Sequence, residues 1–293
     1  MMKKICFALL AAVVSLVLAS CQQAIVEDSS DTSTDAKVTL NLSVAQFEQV
    51  PFSQAKARRG TRATKIDSVC TKLCFAIYKS AGDAHPTTVL QTVGEKDFGS
   101  VRLALDKGTY YLVVLAHSSS INPDMSNIQS IDFSKYVTDT FYACDTITID
   151  HSLDKDIRLR RAVARLELTT TDNLPDTCTS LKLTLGNVCT AFNPVTGHGA
   201  TPGDKTYTAT FDQHGKGKPF SFGRNFFPAA EDSKTSLSVT LYTGDKPTFT
   251  RRLTDIPVSR NTVTRYTGRL FSNLSFAVSM QSDDEWGVNT VTF

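Results

Sequence analysis

Hydrophobic residues recur at every second position through most of this chain, and that period predicts strands rather than helices. Val38, Leu40, Leu42 and Val44 alternate with polar residues, as do Leu73, Phe75 and Ile77, and then Val101, Leu103 and Leu105. Tyr111, Val113 and Leu115 keep the period but have apolar neighbours on the other face, as a central strand covered on both sides does. The second half continues with Ala162, Ala164, Leu166 and Leu168; Leu181, Leu183 and Leu185; Leu237, Val239 and Leu241; and Leu274, Phe276, Val278 and Met280. Turn-forming stretches such as Asn193-Pro-Val-Thr-Gly-His-Gly199 and Thr243-Gly-Asp-Lys-Pro247 separate the strands. The one helical expectation is Asp124 to Tyr136, where Met125, Ile128, Ile131 and Phe133 would support a short helix. The pattern predicts an all-β chain of two tandem β-sandwiches, 37–157 and 158–293, with the boundary in the charged stretch Asp154-Lys-Asp-Ile157. One continuous sandwich is the alternative.

The front of the chain is different. Lys3 and Lys4 precede an apolar block from Ile5 to Ala19, about 15 residues against the roughly 20 that a membrane-spanning helix needs. Residues 1–20 therefore read as a signal peptide. Leu18-Ala19-Ser20-Cys21 resembles a bacterial lipobox, which implies cleavage between Ser20 and Cys21 and a diacylglyceryl group on the Cys21 sulfur. Two or three acyl chains, at about 0.8 kcal/mol per buried methylene, hold a protein at a membrane essentially permanently. Residues 21–36 are polar, acidic and without large side chains, so they are expected to form a flexible tether. An ordinary secretory signal, cut elsewhere, is the competing reading.

The formal net charge of +2 and the lack of a concentrated basic stripe argue against nucleic acid as a partner. Of seven cysteines, Cys6 leaves with the signal and Cys21 is modified, leaving Cys70, Cys74, Cys144, Cys178 and Cys189. A disulfide between Cys178 and Cys189 is conceivable in an exported protein. Cys70 and Cys74, four apart, would share one strand face, but without a second ligand pair they are a weak metal signal. Buried, inert thiols are the expectation for the rest.

Catalytic signatures are missing from the chain. Gly199-Ala-Thr-Pro-Gly-Asp-Lys-Thr206 departs from a phosphate loop in spacing and in the sign of Asp204, and reads as a surface loop. Neither a Gly-x-Ser-x-Gly elbow nor a His-Glu-x-x-His helix occurs. The five histidines are scattered, and His198 and His214 with Asp212 make at most a loop cluster. Asp283-Asp-Glu285 are neighbours whose side chains point to opposite faces of a strand, a poor acid/base pair. No cofactor, metal or catalytic residue is expected. The stretch His214 to Phe227 mixes Lys216, Lys218 and Arg224 with phenylalanines. It is either a carbohydrate-contact surface or a hairpin whose phenylalanines enter the core.

Several segments together resemble a known family. Arg158-Leu-Arg-Arg-Ala-Val-Ala-Arg-Leu-Glu-Leu168, Leu174-Pro175, Leu181-Lys-Leu-Thr-Leu-Gly-Asn-Val188 with Phe192-Asn193, and Val258-Ser-Arg-Asn-Thr-Val-Thr-Arg-Tyr-Thr-Gly-Arg-Leu270 form the pattern, with Lys107-Gly-Thr-Tyr-Tyr-Leu-Val-Val-Leu-Ala116 in the first half. The pattern is similar to the FimB-type fimbrial subunit family of Bacteroidetes. That resemblance implies two transthyretin-like sandwiches and a non-enzymatic outer-membrane lipoprotein, held by lipid on Cys21. It further implies an anchor or subunit of type V pili whose partners are other fimbrial subunits. In such proteins an arginine-specific protease removes the first strand, and the groove left behind takes a strand from the next subunit. Ala57-Arg-Arg-Gly-Thr-Arg-Ala63 then offers cut sites after Arg59 and Arg62, unless it is only a polar loop that contains arginines. Leu274 to Met280 and Val288 to Phe293 alternate, as donor strands or as native strands of the second sandwich. A surface glycan-binding lipoprotein is the second reading.

Overall fold

The computed structural model describes residues 37–49, 65–134, 137–212, 215–272, 275–282 and 289–292. Among them there is no α-helix, only a single 3-10 turn at Ile66–Ser68. The first half runs β1 (Val38–Phe47), β2 (Lys72–Tyr78), β3 (Thr87–Thr92), β4 (Ser100–Leu105), β5 (Gly108–His117), β6 (Ile131–Asp132), β7 (Phe141–Ile149) and β8 (Leu153–Arg161). Seven of these strands pair in the order β3-β2-β5-β7-β8-β1-β4. Only two residue pairs, Phe141↔Arg161 and Tyr142↔Arg160, join β7 to β8. The sheet folds over at this corner and becomes a sandwich, with Leu40, Leu42, Leu73, Phe75, Leu112, Val114 and Ile157 packed between its two leaves.

The second half adds β9 (Ala164–Asn173), β10 (Ser180–Val188), β11 (Ala191–Asn193), β12 (His198–Ala200), β13 (Gly203–Thr210), β14 (Pro219–Phe226), β15 (Ser233–Thr243), β16 (Lys246–Val258), β17 (Thr262–Arg269), β18 (Ser275–Ser282) and β19 (Asn289–Thr292). One sheet has the order β13-β10-β15-β16 and the other β14-β9-β17-β18-β19. Alternate side chains such as Leu166, Leu168, Leu181, Leu183, Leu237 and Val239 fill the space between them. Thr243-Gly-Asp-Lys-Pro247 is the tight turn its composition predicts, with Thr243 paired to Lys246 and Gly244 at φ 59°. Pro247 and Pro257 are tolerated because β16 ends its sheet and has one edge unpaired.

The two sandwiches are fused rather than strung together. Strand β6 from the first half pairs with β11 from the second, and β12 completes a small three-stranded sheet. Its side chains join a third buried cluster in which Phe133, Phe192, Phe227 and Tyr142 stack with centroid separations of 4.7 to 5.2 Å. Beneath it lie Val113 and Leu115 on one face of β5, while Leu112 and Val114 on the other face enter the first core. This is the two-sided burial that their sequence predicts. Gly197, at φ 76°, closes the β11–β12 turn directly over Tyr142, and a Cβ there would collide with the tyrosine hydroxyl.

Two expectations change. The helix expected over 124–136 is absent from its described residues, 124–134, although Met125, Ile128, Ile131 and Phe133 are all buried. The carboxylates of Asp124 and Asp132 and the amide oxygen of Asn127 each accept the backbone N–H two residues on, and this series of Asx turns competes with helical bonding. The boundary at 157/158 cuts through β8, which continues to Arg161 because Asp154, Asp156, Arg158 and Arg160 lie on the outer face while Ile157, Leu159 and Arg161 itself face inward. The change of sheet follows at Ala162-Val163.

Candidate assembly interface

Strand β1 is the element with an unusual position. It lies inside the sheet, antiparallel to β4 from Val38↔Leu105 to Ser43↔Ser100, and parallel to β8 from Leu40↔Leu153 to Phe47↔Leu159. Its neighbours in space are both distant in sequence, so β1 belongs to no hairpin and its removal would sever no local connection. Leu40 and Leu42 are 0% and 2% exposed, and Phe47 packs edge-on against Phe141 at 5.1 Å. Each such leucine contributes about 1.5–3 kcal/mol by burial. Polar groups fix the register: Asn41 Nδ2 donates to Asp154 Oδ1 at 2.6 Å, and the Gln49 amide oxygen accepts the Arg161 N–H at 2.7 Å. A one-residue slip would expose both leucines.

Ser20, Cys21, Arg59, Arg62 and the tether 21–36 lie outside the described residues, as do His214 and Asp283-Asp-Glu285. Of the segment Leu274 to Met280, the residues from Ser275 on belong to β18, which pairs with β17, and Asn289 to Thr292 of the last alternating segment form β19, whose one neighbour among the described residues is β18. Both are native strands here, with β19 at an open edge.

The disulfide between Cys178 and Cys189 does not form. The two residues flank β10 at opposite ends, a span of roughly 30 Å at strand rise, whereas a disulfide needs Cα atoms within about 7 Å. All five described cysteines are free, and only Cys144 is not fully buried. Cys70 and Cys74 do not share a face: Cys70 precedes β2 and enters the first core, while Cys74 points into the junction cluster. Burial pushes both thiols up to about 12.

Nothing in the spacing of Cys74 and His117 along the chain indicates that they meet. Pairing of β2 with β5 brings Cys74 Sγ to 3.5 Å from His117 Nε2. The Ser119 N–H donates to Nδ1 at 3.1 Å, so Nδ1 is the acceptor and the ring hydrogen sits on Nε2. His117 is 0% exposed, and burial, aided by Lys72, lowers its pKa to about 4. A neutral imidazole beside a thiol held protonated is a packing pair rather than an activated nucleophile. Its consequence is for stability. The unfolded histidine takes up a proton below about 6.5, but the folded one does so only near 4. Stability is therefore complete above about pH 6.5 and falls as pH drops toward 4. The expected loss over that window is about 3 kcal/mol. Denaturant titrations of the wild type and His117→Gln across pH 4 to 7 check this, and the variant is expected to lose that slope.

The stretch to Phe227 contains β14, whose phenylalanines enter the core as expected, but it is not a hairpin: β14 pairs with β9, while β13 before it lies in the opposite sheet. Phe222, Phe226 and Phe227 are buried, and Phe220 packs edge-on against Phe211 at 5.9 Å. Among the described residues of this stretch, Phe222, Phe226 and Phe227 form no exposed aromatic platform of the kind the carbohydrate-contact alternative requires. Among the described residues no group of three His, Cys, Asp or Glu side chains is placed to hold a metal ion. Gly199-Ala200 and Gly203 to Thr206 belong to β12 and β13, with Thr201-Pro202 turning between them.

A model of a family described as being of unknown function, DUF6562, matches residues 30–292. No curated protein matches the chain. Among solved structures, a candidate adhesin from Bacteroides thetaiotaomicron aligns with a TM-score of 0.51 and 10% identity, over 89% of this chain and 99% of that one. A candidate adhesin from Bacteroides ovatus aligns with a TM-score of 0.50 and 10% identity, over 87% and 95%. The tip fimbrial protein Mfa3 from Porphyromonas gingivalis, with a C-terminal truncation, gives a TM-score of 0.39 and 11% identity over 84% and 99%. The two adhesin likenesses establish a shared fold.

Proposed function

The chain belongs to DUF6562, a family of unknown function, and on that premise we propose that it is a non-enzymatic, lipid-anchored structural subunit of a surface fimbria that assembles by strand addition. The observation that carries this reading is β1: an interior strand with two core leucines, no hairpin partner, and backbone bonds to β4 and β8 on its two sides. Downstream it is joined to the sandwich through residues 48–65, which contain Arg58, Arg59 and Arg62. One cut there would leave β1 held by non-covalent contacts alone. A strand of another subunit with apolar residues at alternate positions would satisfy the same groove.

The resemblance to FimB-type subunits and the fold shared with candidate adhesins support the same role, as does the lipobox ending at Cys21. Among the described residues no helix is long and apolar enough to cross a membrane, and lipid on Cys21 would supply the attachment to the outer membrane. We place the anchor role ahead of a stalk role. An anchor keeps β1 and its lipid, and offers the open edge at β19 to its neighbour. Crosslinking on intact cells followed by mass spectrometry is the test. A fimbrial subunit captured by a chain that still begins at lipidated Cys21 is the expected result. A chain recovered without its lipid and beginning after Arg59 or Arg62 marks a stalk subunit. Failure to capture any fimbrial subunit would refute the reading.

A further inference from the structure

A cleft of about 670 Å³ opens where β13 and β14, the outermost strands of the two sheets of the second sandwich, meet the loops around Ser119 and Thr138. That volume lies within the range of sites for small ligands. Three observations say what it would take. The first is Arg224, whose guanidinium lies over the rings of Tyr207 at 4.7 Å and Phe222 at 5.0 Å and, among the described residues, donates to the Gly223 carbonyl alone, at 2.7 Å. Among the described residues no carboxylate pairs with it. Stacking fixes its plane, so its remaining N–H groups stand ready for a planar anion with little further loss of freedom.

The second is the charge beside it. Arg165 donates to Glu167 Oε1 at 2.7 Å and to the Asn225 amide oxygen at 3.2 Å, while Arg265 donates to Glu167 Oε2 at 2.6 Å. Among the described residues that line the cleft, Arg165 and Arg224 are the charged ones and none is a carboxylate. Burial alone would raise the Glu167 pKa, but its two arginines outweigh this and hold it low, so the carboxylate stays ionised.

The third is Ser119, 2% exposed, a residue of the cleft wall whose buried hydroxyl has no hydrogen-bond partner among the described residues. A buried hydroxyl left unpaired costs about 1–3 kcal/mol, and turning it by one rotamer into the cleft would let a ligand hydroxyl or carboxylate relieve it. Thr138, Thr206 and Thr208 extend the same short hydroxyl lining. A peptide strand would want apolar side-chain pockets, which this lining lacks, and nucleic acid would want a larger cationic surface than a chain of net charge +2 supplies. A carboxylate on a polyhydroxylated body satisfies all three observations.

We infer that this cleft binds an acidic oligosaccharide, with Arg224 receiving a sugar carboxylate and Ser119 a neighbouring oxygen. The inference does not rest on strand addition, since β1 contributes nothing to the cleft. Titration calorimetry of the full chain with trigalacturonate, and with neutral maltotriose as the comparison, tests it. Trigalacturonate is expected to bind at least tenfold tighter than maltotriose, and more weakly as salt is raised. Arg224→Ala is expected to weaken trigalacturonate at least tenfold with an unchanged melting temperature, Arg224→Lys to recover only part, and Ser119→Ala to weaken it severalfold without destabilising the fold. No binding of trigalacturonate, equal affinity for the two sugars, or unchanged affinity in a folded Arg224→Ala protein would overturn the inference. Tighter binding of an extended peptide at the same residues would do so too.

Discussion

Replacing Arg161 with alanine is expected to lower the unfolding free energy by about 3–5 kcal/mol, measured by equilibrium denaturation. Arg161 ends β8, is 1% exposed and stands where the two sandwiches join. Its Nε donates to Asp139 Oδ1 at 2.8 Å and its Nη2 to Oδ2 at 3.3 Å, a forked pairing with a carboxylate that is itself only 21% exposed. Its Nη1 donates to the side-chain oxygen of Asn261, which enters β17 from a left-handed backbone conformation at φ 63°. The guanidinium also lies over the Phe141 ring at 4.9 Å. Truncation leaves Asp139 and Asn261 without that donor in a largely dry setting, so the loss exceeds what the pair itself contributes. Arg161→Lys should fall between the two, since an ammonium keeps the charge but not the fork. If the penalty comes from the abandoned carboxylate, Asp139→Asn added to Arg161→Ala should recover part of it.

The second large effect is expected in β1. Leu40→Ala should cost about 2–5 kcal/mol, and Leu40→Asp should prevent folding by placing a charge between the two leaves of the first sandwich. Asn41→Ala, one residue away on the exposed face, removes only the bond to Asp154 and should cost about 1 kcal/mol. The contrast between adjacent positions is the signature of a strand held by an alternating set of pockets, and denaturation of the three variants measures it directly.

The sequence made the strands with clean alternation legible. Val38 to Val44, Leu181 to Leu185 and Leu237 to Leu241 each sit in the structure as their pattern requires, because one face of each meets a core and the other does not. Strand β8 was hidden by Arg161: a buried arginine at an inward position breaks the apolar period, and the charged outer face then reads as a linker. The 124–136 segment misled in the opposite sense. Its apolar spacing is real, but side-chain oxygens from Asp124, Asn127 and Asp132 capture the backbone N–H groups that a helix would use.

Site residues were less legible than strands, because long-range register brings them together. Cys74 meets His117 only through the pairing of β2 with β5, and Ser119 and Arg224 come to line one cleft only through the fusion of the two halves. The Cys178–Cys189 expectation failed for a simpler reason. Two cysteines at the ends of one extended strand are held apart by the strand itself.

Strand exchange at β1 tests the account most directly. The purified chain is nicked in Arg58-Arg-Gly-Thr-Arg62 with an arginine-specific protease, kept folded, and offered an excess of fluorescent peptide with the sequence Val38 to Phe47. The nicked protein is expected to take up the peptide and release its own β1, the intact chain is not, and a peptide shifted by one residue is expected to fail to enter. A nicked protein that stays folded yet never exchanges its strand, or that accepts the shifted peptide equally well, would contradict the account.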